Sequence, residues 1–421
     1  MSDTIFALSS GRPPAAIGVV RLSGRRAMDA ARALAGALPK PRRAALRTLR
    51  DGDGRPLDRA LVLAFPGPAS ATGEDLVELH LHGGRAVVAA VEAALAAAGA
   101  RRAEPGEFTR RALANGRIDL AQAEGLADLL EAETEAQRVV AAGAAEGLVS
   151  RMARGWGDRL TAAAARVEAA IDFSDEDDVS VDLDAVAREV DAVGKEMAQA
   201  LAEPPVERLR DGVRVVLAGP PNAGKSTLLN LLVGREAAIV SPVAGTTRDV
   251  IEAPVVYEGA ALLMVDTAGL AEGTTDPVEA IGVERARVAA QAADIVLWLG
   301  DGPPPMPAVR IWARADEPGR EVAPAGVDVA VARSRPETVA ALRRLIGEQA
   351  RASLPRPDRP ALNARVRGLV GEAAGALAVD PDPLILAEHL RAARTALARV
   401  TGEDATEAML DALFGRFCIG K

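Results

Sequence analysis

The sequence predicts a multidomain α/β chain in which a Ras-like P-loop unit is inserted into an all-α helical domain, behind an α+β N-terminal domain. Three observations predict it. Residues 213–234 read as buried strand, glycine loop and helix. Two proline-marked joints, Pro204-Pro205 on one side and Pro355, Pro357 and Pro360 on the other, flank that unit, with helical periodicity beyond both. Residues 1–118 mix short strand-like stretches with helical ones. The predicted domains are 1–118, a helical domain made of 119–208 and 353–421, and a nucleotide-binding domain at 209–352.

In the first domain Ala16–Leu22 and Leu76–His82 have strand character, and Val87–Ala98 is helical. Alternation along Leu76–His82 puts Val77, Leu79 and Leu81 on one face and Glu78, His80 and His82 on the other. Arg21 shares a face with Ile17 and Val19. A carboxylate such as Glu78 suits a ligand edge with paired N–H groups, and Arg21 suits a carboxylate or carbonyl. The bland alternative is an exposed sheet face. His80 and His82 have the spacing of a metal pair, with no third ligand in view. Residues 119–203 are Ala-rich and helical in period. The acidic run Asp172–Asp178 reads either as a cation site or as a solvated stretch between helices.

The central unit carries the sharpest chemistry. Gly219, Gly224, Lys225 and Ser226 fit G-x-x-x-x-G-K-[ST], after the apolar run Val213–Ala218 and before a helix, Thr227–Val233, that stops at Gly234. Such a loop turns backbone N–H groups towards phosphates, Lys225 reaches the outer phosphates, and the Ser226 hydroxyl suits Mg²⁺. Asp266–Gly269 (DTAG) follows the strand Ala261–Val265; Asp266 would meet Mg²⁺ and the Gly269 N–H a γ-phosphate. Gly245–Asp249 (GTTRD) offers Thr247 as a second Mg²⁺ ligand. Together these predict a P-loop GTPase. Guanine is usually read by N-K-x-D, and the counterpart is Ala313-Arg314-Ala315-Asp316. Asp316 still accepts guanine's N1–H and 2-amino hydrogens; the absent Asn removes bracing hydrogen bonds. Val331-Ala332-Arg333 stands where S-A-K is usual. Leu270 stands where a water-orienting Gln would follow D-x-x-G, and no arginine finger is evident.

Composition narrows the field. At 421 residues, 49% hydrophobic and 26% charged, the chain has ample core for several domains. One cysteine, Cys418, excludes an internal disulfide and a Cys-based metal site, and fits a reducing, cytoplasmic setting. No signal peptide opens the chain and no apolar run reaches membrane-span length. The net charge of −9 argues against nucleic-acid binding over the whole surface, not against a local basic patch. Lysine occurs only at 40, 195, 225 and 421, so a retained lysine marks a position where arginine fails or a chance survival.

With these parts placed, the chain resembles the MnmE (TrmE) family. The resemblance rests on the strand with Arg21, TGEDLVELHLHGG at 72–84, PGEFT at 105–109, LAQAEGLADLL at 120–130, AAIDF at 169–173, the GTPase motifs and the terminal CIGK. It implies a GTPase within a complex that modifies C5 of the wobble uridine of certain tRNAs. It implies a homodimer joined to an FAD-containing MnmG-type partner as a heterotetramer. It implies an N-terminal domain that binds 5-formyltetrahydrofolate or a related folate through Arg21, Glu78, Arg117 and Lys421; Arg117 stands where the family often has Lys. It implies GTP contacts from Asn222, Ala223, Gly224, Lys225, Ser226, Thr227, Ser241, Gly245, Thr246, Thr247, Asp266, Thr267, Ala268, Gly269 and Asp316, with Mg²⁺ on Ser226 and Thr247. Asn222 resembles the marker of potassium-activated GTPases, with K⁺ held by Asn222, Ser241, Val243 and Thr246. Glu279 is the family's candidate for orienting water; it equally fits a capping box behind Asp276 and Pro277. Cys418 reads as a nucleophile or as a small buried side chain. The alternative function is a regulatory potassium-dependent GTPase that binds ribosomal RNA in ribosome assembly.

Overall fold

A computed structural model of the chain describes residues 3–172, 182–220, 222–237, 251–266, 292–356, 359–377 and 382–420. The chain divides into two compact units: Met1–Leu130 with Ala144–Gly157 and Thr395–Lys421, and Glu131–Gly143 with Asp158–Arg394.

The first unit is built on β1 (Ile5–Leu8), β2 (Ile17–Ser23), α1 (Ala27–Ala35), β3 (Ala45–Arg50), β4 (Pro56–Phe65), β5 (Leu76–His82), α2 (Arg85–Ala97), β6 (Arg101–Arg102) and α3 (Glu107–Ala114). Its sheet has the order β3-β4-β5-β2-β1-β6, antiparallel except for β1–β6. Period-two alternation decides which face is buried. Val20, Leu22, Val77, Leu79 and Leu81 join Leu34, Val91 and Leu95 of α1 and α2 in one core. The intervening residues Val19, Arg21, Glu78 and His80 are half-buried on the other face.

A buried ionic network anchors α3. Arg111 is only 1% exposed and pairs with Asp3, Glu74 and Glu107 at 2.9, 3.1 and 2.9 Å. Arg101 adds a second cation to Glu107 at 2.6 Å. Gly106 enters α3 with φ +65°, where a Cβ would lie 2.6 Å from the Phe414 carbonyl oxygen, so only glycine permits that approach.

Helices follow: α4 (Leu120–Glu131), α5 (Glu135–Ala145), α6 (Leu148–Asp172), α7 (Leu183–Ala202) and the short α8 (Glu207–Asp211). The second unit's sheet comprises β7 (Val213–Ala218), β8 (Ile251–Tyr257), β9 (Ala260–Asp266), β10 (Ile295–Trp298), β11 (Val309–Ala313) and β12 (Val329–Val331), with α9 (Lys225–Ala237) after β7. The order is β12-β11-β10-β7-β9-β8, parallel except for the antiparallel edge β8. Central β7 is buried on both faces: Val213, Val215 and Leu217 meet one apolar cluster and Val216 another. That is why it reads as an unbroken apolar run. The helix α9 breaks at Gly234, whose φ of 35° and ψ of 155° are not helical, as its sequence predicts. The chain closes with α10 (Pro336–Ala352), α11 (Ala364–Ala376), α12 (Pro383–Ala398) and α13 (Glu407–Phe414). Among the described residues no helix is long and apolar enough to cross a membrane.

Candidate functional site

The phosphate loop leaves the carboxyl end of β7, the position where open parallel sheets bind ligands. Gly219 and Gly224 adopt φ of +150° and +95°, and a Cβ on Gly219 would press to 3.3 Å on the Leu299 backbone. Asn222 takes φ +62°, a left-handed turn that asparagine tolerates. Lys225 is 7% exposed, and its Nζ donates to the Gly219 and Pro220 carbonyls at 3.0 and 2.9 Å. Burial pulls its ammonium below the ordinary lysine value, and the Asp266 carboxylate pulls it back. Asp266 is fully buried and lies beside Leu217 in the β7–β9 register. Ser226 is exposed on the first turn of α9. The Ser226 hydroxyl and the Asp266 carboxylate are hard oxygen donors of the kind Mg²⁺ takes, and the Lys225 ammonium is a cation for phosphate, so the residues present fit polyphosphate with Mg²⁺.

Beside this loop lies a cavity of about 460 Å³, lined among others by Gly224, Thr227, Leu231, Arg314, Asp316 and Arg333. Asp316 is held by the turn after β12: its Oδ2 accepts the Ser334 N–H at 2.9 Å. The Ser334 side chain and backbone keep its carboxyl below the ordinary range, so it presents an acceptor edge. Ala315 N–H donates to the Val331 carbonyl at 3.0 Å and Arg335 to the Ala315 carbonyl at 3.1 Å. Arg314, at φ +57°, reaches the Asn222 carbonyl at 2.9 Å. These ties join residues 314–316 to the 331–335 segment and to the phosphate loop through backbone groups, which carry no residue identity and so escape motif matching.

In the N-terminal sheet Arg21 and Glu78 are direct cross-strand partners. Arg21 Nη2 and Nε both reach Glu78 Oε1, at 2.9 and 3.1 Å. His80 Nε2 lies 3.3 Å from Glu78 Oε2. The Phe108 ring sits 5.9 Å below the Arg21 guanidinium. Phe108 belongs to PGEFT, so its motif was visible in the sequence but its contact was not. His82 is engaged elsewhere, 2.7 Å from Asp58. Among the described residues no three His, Cys, Asp or Glu side chains gather as a metal site. Arg117 is exposed against Gly73 in the loop before β5 and touches neither Arg21 nor Glu78 through a hydrogen bond or ion pair. The tail folds back on the same unit: Ile419 bridges Pro105, and Ser9 Oγ donates to the Gly420 carbonyl at 2.9 Å. Gly420 needs its φ of +99°, since a Cβ would lie 2.5 Å from the Leu8 carbonyl oxygen. Cys418 is exposed, which sets aside its reading as a buried side chain.

The candidates Ser241, Val243, Gly245, Thr246, Thr247, Thr267, Ala268, Gly269, Glu279 and Lys421 lie outside the described residues, as do Leu270 and most of the run Asp172–Asp178.

Two family models match: the one described as "GTP-binding protein TrmE N-terminus" over residues 4–117 and "MnmE helical domain" over residues 120–418. The tRNA modification GTPase MnmE of Erythrobacter litoralis is 58% identical, covering 100% of both chains. That of Rhizorhabdus wittichii is 56% identical, covering 100% of this chain and 97% of its own. A solved structure of Era with MgGDPNP and a segment of 16S ribosomal RNA is 23% identical over 41% of this chain and 69% of that one. Its TM-score of 0.24 is too low to bear on function. Fold and phosphate site together define the class, a P-loop GTP hydrolase. Within that class the chain belongs to the MnmE family of tRNA modification GTPases. The ribosome-assembly alternative gives way to it.

Proposed function

We propose that the chain is a potassium-activated GTPase that, with an FAD-containing MnmG-type partner, modifies C5 of the wobble uridine of certain tRNAs with a folate-derived one-carbon unit. Two unlike features on one chain support this reading: the cavity beside the loop of Lys225, lined by Asp316, and the Arg21–Glu78 pair in the unit that also holds the tail. The three predicted domains, a homodimer and a cytoplasmic setting belong to the same proposal.

At the first site Lys225 and the loop N–H groups bind and orient the phosphates, and Asp316 selects the base. Ser226 and Thr247 would hold Mg²⁺, with Asp266 near it; Asn222, Ser241, Val243 and Thr246 would hold K⁺. The cations supply charge that offsets the negative charge growing on the transferring phosphate. Ser241, Gly245, Thr246, Thr267, Ala268 and Gly269 complete the nucleotide contacts, and Glu279 orients the attacking water. At the second site Glu78 accepts the paired N–H groups of a pterin. Arg21, Arg117 and Lys421 meet the folate's carbonyl and carboxylate groups, and Cys418, three residues before Lys421, is the candidate nucleophile.

The full chain tests both halves separately. GTP turnover should be much faster in KCl than in NaCl at equal ionic strength, and Asn222→Ala should erase most of the difference. Equal rates in the two salts refute the potassium assignment. Glu78→Gln should weaken 5-formyltetrahydrofolate binding about 10- to 100-fold, as loss of a charge-assisted pair implies, and removal of Lys421 should weaken it too. Both changes should spare GTP turnover. Unchanged folate affinity in both variants removes the folate site.

A further inference from the structure

Charge is distributed unevenly along the chain. Residues 1–118 carry 18 Lys and Arg against 11 Asp and Glu; residues 119–421 carry 32 against 48. The excess in the first part is concentrated at one edge of its sheet. Between residues 40 and 59 stand Lys40, Arg42, Arg43, Arg47, Arg50, Arg55 and Arg59, against Asp51, Asp53 and Asp58. They flank and include β3, the edge strand, and its hairpin with β4.

The three acids do not neutralise this edge. Asp51 accepts the Asp53 and Arg55 N–H groups at 3.0 and 2.8 Å, which shapes the hairpin turn. Asp58 is occupied by His82 at 2.7 Å and by the backbone N–H of its neighbour Arg59. Only Asp53 meets a cation, Arg55, at 3.2 Å. Arg47 and Arg50 donate to the Ala37 and Gly54 carbonyls, and no carboxylate among the described residues pairs with their charge. Arg42 donates to the Ala69 carbonyl with Phe65 5.6 Å from its guanidinium. Lys40, Arg43 and Arg59 are exposed and have no side-chain partner among the described residues. Exposed arginines elsewhere commonly face a carboxylate, as Arg32 faces Asp29 and Arg138 faces Glu135.

We infer that this edge is the surface on which the chain docks its tRNA, through the phosphate backbone. An arginine held by a carbonyl is oriented yet keeps its full charge, and its remaining N–H groups suit phosphate oxygens. The edge carries many cations and, apart from Phe65 beneath Arg42, little aromatic surface. It therefore suits shape and charge recognition of folded RNA rather than stacking on splayed bases. The acidic remainder of the chain would repel the polyanion and so orient its approach. This inference rests on the tRNA reading above and deepens it.

The test uses the full chain, a tRNA transcript and fluorescence anisotropy over a range of KCl concentrations. The variant Lys40→Ala/Arg43→Ala/Arg59→Ala removes three charges that support no internal contact. It should weaken binding at least 10-fold at low salt and lower the slope of log affinity against log salt by roughly 2. GTP turnover, folate binding and thermal midpoint should stay unchanged. The control Arg32→Ala/Arg138→Ala removes two ion-paired arginines and should leave the slope as it was. An unchanged slope in the triple variant overturns the inference, and so does failure of the unmodified chain to retain tRNA. Equal loss of binding to phosphatidylglycerol vesicles and to tRNA would assign the edge to anionic surfaces in general and overturn the RNA assignment. Absence of the potassium and folate effects, with the slope lowered in the triple variant as expected, would instead count against the proposed function alone.

Discussion

In the nucleotide-binding sheet the site hangs from backbone. Gly219, Asn222 and Gly224 set the loop by their dihedral angles, and Lys225 is the one side chain held inside it. In the N-terminal sheet the corresponding position is made of side chains on neighbouring strands, Arg21 against Glu78 with His80 behind. The first design is set mainly by local sequence. The second needs register: a slip of one residue would turn Glu78 into the helix-covered core and bring Leu79 out. The buried Arg111 network, which ties α3 to Asp3 and Glu74, fixes this sheet over long range through charged side chains, whereas the phosphate loop receives a long-range tie on a backbone carbonyl, from Arg314 to Asn222.

The sharpest way to break this contrast is at Lys225. Lys225→Ala removes the only buried cation of the loop and should lower GTP turnover by about 10²–10³-fold, as loss of a fixed charge-stabilising donor does. Folate binding should be untouched. The check is steady-state phosphate release beside calorimetric folate titration. A matching loss of folate affinity would mean that the two sites are not independent.

The same contrast explains what the sequence made legible. The strand at 213–218, the glycine loop and the stop at Gly234 were readable because each depends on residues within a few positions. Strand Leu76–His82 and its two faces were readable from alternation. The Arg21–Glu78 contact itself was not, since two residues 57 positions apart are paired by strand order, not by spacing. The Ser334–Asp316 and Arg314–Asn222 ties were also hidden, because backbone groups accept or donate in them and carry no residue identity. The tail's return to Pro105 and Ser9 required closure of the unit.

A second break concerns stability in the side-chain-built sheet. Burial alone would raise the Glu107 carboxyl; hydrogen bonds from Arg101, the Glu104 N–H and Arg111 outweigh it and hold the group below its usual value. A carboxyl depressed by folding contributes stability above the unfolded value of about 4.3, and that contribution is lost as pH falls through the folded value. Glu107→Gln should destabilise the unit by about 3 kcal/mol at neutral pH, because it leaves Arg111 under-compensated in the core. The variant should also lose part of the wild-type decline in stability below about pH 4. Denaturant midpoints followed against pH check both. A variant as stable as the parent would show that Asp3 and Glu74 alone suffice.

The proposed base selection by Asp316 lies between these extremes, since this side chain is braced by the Ser334 backbone N–H. Asp316→Asn should move preference from GTP towards XTP, by about 10-fold or more, because an exposed hydrogen-bonded pair is exchanged for a mismatched one. Competition binding of the two nucleotides reads this out. Unchanged preference would remove residues 313–316 from the base site.

The smallest effect is expected at Arg314, and it sharpens the comparison most. This arginine is exposed, and its one strong tie is the donation to the Asn222 carbonyl. A single hydrogen bond of that kind is worth about 1 kcal/mol, so Arg314→Ala should raise KM for GTP roughly fivefold. If the tie only stabilised the fold, the thermal midpoint would fall and the nucleotide parameters would follow it together. If instead it positions Asn222, the loss should fall unevenly. The advantage of KCl over NaCl should shrink, the midpoint should hold, and Arg314→Lys should restore part of the effect through its ammonium. Turnover that keeps its full salt preference in Arg314→Ala would leave the phosphate loop self-sufficient. The base loop would then be a separate element that shares only a cavity wall with it.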